Sequence, residues 1–72
     1  MYKPSVGDRV IVDMMKTRNT RHIMRRHPYV PRNFSGQICK VNYEFGRHLV
    51  MAEPIGDLYS VMVECVTPAP KE

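Results

Sequence analysis

The chain of 72 residues has no tryptophan, only two phenylalanines, four glycines and two cysteines. Cys39 and Cys65 are too few to form the disulfide framework of a small secreted domain. Together with six methionines they suit a reducing, cytoplasmic setting. No apolar run approaches the roughly 20 residues needed to cross a bilayer. The opening Met1-Tyr2-Lys3-Pro4-Ser5 offers no apolar stretch for a secretory signal. A membrane partner is therefore not expected. Cys-x-x-Cys and His-x-x-x-His pairs are absent, and the cysteines stand 26 positions apart, so no metal site is expected. Each cysteine reads more simply as a small buried hydrophobe in a strand. No glycine-rich loop is built to cradle phosphate, no motif sets a base beside Ser5, Ser35, Ser60 or a cysteine, and the carboxylates are scattered. A monomer of this length also struggles to enclose a substrate pocket of several hundred Å³. Neither a cofactor nor an enzyme is expected.

Acidic residues are missing from one long stretch, and that absence carries most of the functional argument. Between Met14 and Asn33 lie Lys16, Arg18, Arg21, Arg25, Arg26 and Arg32, with no aspartate or glutamate. The other 52 residues hold five basic groups against seven acidic ones, so the net +4 combines a near-neutral body with one insert of charge +6. His22 and His27 add titratable groups to the same stretch. A surface meant only for solubility mixes both signs of charge. Charge of one sign on one segment instead creates a directional field that an anionic partner feels first.

The rest of the chain reads as strands. Gly7-Asp8 supplies a turn, and the β-branched residues that follow put Val10 and Val12 on one face and Ile11 on the other. A second strand is expected over 36–43, where Ile38 and Val41 break strict alternation. Either Cys39, Val41 and Tyr43 form the inner row, or a bulge re-aims the strand. Glu44-Phe45-Gly46 reverses the chain into a strand over 47–52. Pro54, Gly56 and Asp57 break it again before a strand over 58–64, with Tyr59, Val61 and Val63 on one face. Cys65-Val66-Thr67 suits a tight helical turn or a last strand, and residues 68–72 read as a loose tail. Within the insert, residues 20–26 have room for one or two helical turns, but nothing acidic caps their start. Pro28 and Pro31 end any helix and favour an extended path through Tyr29 and Val30. The insert is expected to be mobile. Short strands with turn signals at close intervals predict a small antiparallel barrel, a single domain over 1–67 with the basic loop inserted at 14–33. A core this small leaves the oligomeric state open.

Val6-Gly7-Asp8-Arg9-Val10, then Phe34-Ser35-Gly36-Gln37-Ile38-Cys39-Lys40-Val41, then strands at 48–52 and 58–64, resemble the SH3-like barrel of KOW-type modules in ribosomal proteins and transcription elongation factors. The resemblance covers nearly the whole chain outside the insert. It implies an all-β, SH3-like antiparallel barrel of four to five strands with a long basic loop after the first. The chain departs from that pattern where the insert replaces the usual short link, and where Asn33 stands in place of a second glycine. Plasmid-borne type II dihydrofolate reductases are similar barrels that also show Gly-Asp-Arg-Val and Gly-Gln-Ile. Their pore stretch Val-Gln-Ile-Tyr aligns with Val61-Met62-Val63-Glu64, which lacks the glutamine and the tyrosine, so that activity does not carry over.

Two functional expectations follow from the charge. In the first, the 16–32 segment contacts the phosphates of RNA or DNA through Lys16, Arg18, Arg21, Arg25, Arg26 and Arg32, within transcription or translation machinery. Arginine outnumbers lysine five to one there, which favours bidentate contacts and stacking, and Tyr29 offers a stacking face. Phe34 is expected to seal the base of the loop instead. In the second, the basic arm docks on an acidic protein surface, such as that of a host RNA polymerase, as in the accessory regulators that bacteria and their phages encode.

Overall fold

The computed structural model describes residues 2–70. Alternation sets the first strand: in β1 (Arg9–Asp13) Val10 and Val12 are fully buried, and Ile11 between them lies half-exposed on the other face. The remaining strands are β2 (Asn33–Asn42), β3 (Arg47–Ala52), β4 (Leu58–Met62) and β5 (Val66–Pro68). They form one antiparallel sheet in the order β4-β3-β2-β1-β5. The result is the small all-β, barrel-like fold that the strand pattern predicted.

The sheet rolls around β2. Its first half, from Asn33 to Gln37, pairs with β1, and its second half, from Gly36 to Asn42, pairs with β3. Of the two readings of this strand, the bulge is the one observed: the register with β3 shifts between Ile38 and Lys40. Ile38 is buried as a result, while Cys39 is exposed, which corrects the expectation that both cysteines are buried in strands. Gly36 sits where β2 faces β1 and β3 at once, opposite Val10 and Ala52. A Cβ there would collide with the Met51 carbonyl oxygen and lie 2.9 Å from Val50 Cγ1. The strand can cross at this point only without a side chain.

β4 stops at Met62, earlier than expected, because Val63–Cys65 tighten into a 3₁₀ turn that carries the chain to β5. That turn buries Val63 and Cys65, so the inward row begun by Tyr59 and Val61 continues into it. Residues expected to begin a loose tail instead finish the sheet. Pro68 lies opposite Val10 on an edge strand, where a missing N–H is tolerated, and Ala69 N–H donates to the Arg9 carbonyl at 3.2 Å. Lys71 and Glu72 lie outside the described residues.

The insert departs most from expectation. Residues Arg18–Arg26 form a nine-residue helix, α1. Thr17 caps it with a hydroxyl that accepts from the Thr20 N–H at 3.1 Å, and the Thr20 hydroxyl reaches back to the Thr17 N–H at 3.3 Å. This reciprocal box needs no acidic residue, which is why the missing carboxylate did not prevent the helix. Thr20 and Met24, one turn apart, are buried, and Met24 joins Met14, Val10, Val12, Ile38, Val50, Val61, Cys65 and Val66 in one core. Pro28 ends the helix but does not extend the chain: the Val30 N–H donates to the His27 carbonyl at 3.0 Å, closing a turn with proline at its second position. The two ends of the insert meet where the Met14 N–H donates to the Arg32 carbonyl at 2.8 Å. The cationic segment is therefore a helical element seated on the barrel, not a loose loop.

Candidate nucleic-acid interface

The seating of α1 decides which way its charge points. At about 100° per residue, burial of Thr20 and Met24 turns Arg18, His22, Arg25 and Arg26 to the opposite side, with Arg21 at the border. All of these are exposed, as are Lys16 and Arg32 on the flanking turns. The helix is held from below by polar as well as apolar groups. The Thr20 hydroxyl donates to the Thr17 carbonyl at 3.0 Å and takes the Cys65 thiol at 3.8 Å, and the Thr17 hydroxyl lies 3.8 Å from the Met62 sulfur. Burial pushes the Cys65 thiol above its ordinary range, which favours the protonated form of a fully buried side chain.

Among the described residues no carboxylate lies within salt-bridge distance of any of the six predicted cations, and the one salt bridge joins Arg9 to Glu53, both on the body. The helix carries no acidic residue in its first turn and two arginines, Arg25 and Arg26, in its last, where they complement the helix dipole. Arg18 does the reverse, placing a cation at the positive end of that dipole.

The aromatic candidates separate. Tyr29 is 77% exposed, and its hydroxyl is 3.0 Å from His27 Nδ1 with the two rings edge to face. The contact with His27 orients the ring, most of which remains exposed. Phe34 is half-buried and packs on Tyr59 with ring centroids 5.1 Å apart, sealing the base of the insert.

Two cations that charge counting assigned to the body, Lys40 and Arg47, share an exposed depression of their own. Arg47 on β3 lies directly opposite Met62, the residue that Thr17 touches. Arg47, Lys40, Phe45 and Leu49 line a shallow depression of about 390 Å³ on the outer face of the sheet, and Phe45 is 74% exposed.

A buried histidine lies beneath this surface. His48 Nδ1 accepts the Asn42 N–H at 3.2 Å, so the ring proton resides on Nε2, which has no partner. The Tyr43 ring packs edge-on against it at 4.9 Å. Desolvation lowers the pKa of His48 below its ordinary value, which keeps it neutral and out of the cationic set.

Among the described residues no group of three or more His, Cys, Asp or Glu is arranged to hold a metal ion, and no helix is long and apolar enough to cross a membrane. Comparisons with protein-family models, curated proteins and solved structures found no match to this chain.

Proposed function

We propose that the protein is a non-enzymatic nucleic-acid-binding module that engages RNA or DNA phosphates through α1 and its flanking turns. Lys16, Arg18, Arg21, Arg25, Arg26 and Arg32 neutralise phosphates, and Tyr29 stacks on a base. The observation that carries this reading is six exposed cations on one seated element, with no carboxylate engaging any of them among the described residues. The free energy of binding then comes from counterion release, which makes affinity steeply salt-dependent. The resemblance to KOW-type barrels agrees with this reading, and it extends to a place in the transcription or translation machinery of the cytoplasm.

One observation favours a second reading. Met15, Tyr29, Ile55 and Leu58 expose apolar surface beside or near charged residues, as a protein-binding regulator does when it docks on an acidic partner. Affinity capture from lysate, with and without nuclease, separates the two. The nucleic-acid reading predicts that the captured material contains RNA or DNA and is lost on nuclease treatment. A stoichiometric protein complex that survives nuclease contradicts it.

A further inference from the structure

The side of α1 that carries Arg21 faces the turn that follows the helix, and between them lies a groove of about 290 Å³. Met15, Met24, Pro28 and Val30 supply its apolar lining, and Arg21, Arg25 and Arg32 its polar lining. Each polar side chain in the groove is therefore a guanidinium, a planar group with five N–H donors and no acceptor. Two nearby backbone carbonyls are already taken, that of His27 by the Val30 N–H and that of Arg32 by the Met14 N–H.

This chemistry is selective in two ways. The volume lies at the lower end of small-molecule sites, which suits one flat ring system and is far too small for a duplex. The polar side chains that line it are permanently charged donors, so they pair with an occupant that carries anionic acceptors. An uncharged peptide backbone brings no anion for three guanidiniums. A nucleotide in a strand brings a flat base face for the methionines and proline, acceptors at the base edge, and phosphates on either side for the arginines. We infer that the groove takes one unpaired base, and that the ligand is therefore single-stranded rather than duplex nucleic acid. Tyr29, on the same turn, stacks on a neighbouring base. This inference rests on the nucleic-acid reading of the same surface and adds strandedness to it.

Fluorescence anisotropy tests it with a strand of about 12 nucleotides, as DNA and as RNA. The same sequence is offered as a duplex and as a strand with abasic sites, all at one salt concentration. The intact single strand is expected to bind about tenfold more tightly than the duplex or the abasic strand, the effect of one stacked base. Met15→Glu, at a position 38% exposed in the turn before the helix, is expected to abolish that preference. Arg18→Ala, outside the groove, should weaken all the ligands alike. Equal binding of single strand, duplex and abasic strand by the parent protein would overturn the groove inference and leave the nucleic-acid reading intact; this comparison needs no variant. Absence of binding to every nucleic acid would overturn both. So would tighter binding of a polyglutamate peptide bearing apolar side chains, which would assign the groove to a protein partner.

Discussion

The body of the molecule and its insert solve opposite problems. The body neutralises itself: acidic residues outnumber basic ones, and Arg9 pairs with Glu53. The insert concentrates six cations and neutralises none of them among the described residues. Left as a free loop, such a segment would scatter its charge over many conformations and lose entropy on binding. Here two threonines and two methionines fasten it to the core, and the arginines inherit one orientation. The lesson is that an element can be polar on nearly its whole surface and still be structurally committed, if a few small contacts fix its underside.

The comparison breaks hardest at the body's own crossing point. Gly36→Ala drives a methyl group against the Met51 carbonyl, and a loss of about 3 kcal/mol is expected in urea unfolding. Helix and strand signals should vanish together if the insert depends on the barrel. Met24→Ala empties the core beneath α1 and should cost about 2–3 kcal/mol. It also tests the reverse dependence. A variant that kept full stability and merely lost helical circular dichroism would show the insert to be an independent appendage.

Thr20→Val removes the return half of the capping box and the bond from Cys65 while the Thr17 hydroxyl still accepts from the residue-20 N–H, with about 1 kcal/mol of destabilisation expected. The body contributes a pH signature of its own. Because the pKa of His48 is lowered in the fold by desolvation, the unfolded chain binds its proton first as pH drops below about 6.5. The stability associated with the neutral ring is present above that pH and is lost as pH falls toward the folded value. His48→Leu should flatten the pH dependence of the unfolding midpoint in this window. The smallest effect is the most telling, because two properties move in opposite directions. Arg18→Glu places a carboxylate at the positive end of α1 and should stabilise the fold by about 0.3–1 kcal/mol. The same change should weaken nucleic-acid binding.

The strands were legible because a half-buried strand writes its two faces into alternating residues, as Val10, Val12 and the 47–52 segment do. The bulge was legible only as an alternative, since Ile38 and Val41 break the period without saying where the extra residue goes. The helix was obscured because its cap uses threonine at both ends of the box, and because only Thr20 and Met24 mark its buried side. Two buried residues one turn apart leave too little periodicity to read against a run of arginines. The cations themselves were readable as a charge imbalance. Their direction was not, because it depends on where the helix is seated.

The central claim is that cations on the seated helix, and not charge in general, hold the anionic partner. The slope of log affinity against log salt for a single-stranded oligonucleotide tests it most directly, in the parent and in Arg21→Ala/Arg25→Ala/Arg26→Ala. Each lost phosphate contact reduces the slope by about 0.7, so the triple variant should be shallower by about 2. An unchanged slope, with the variant still folded, would contradict the account.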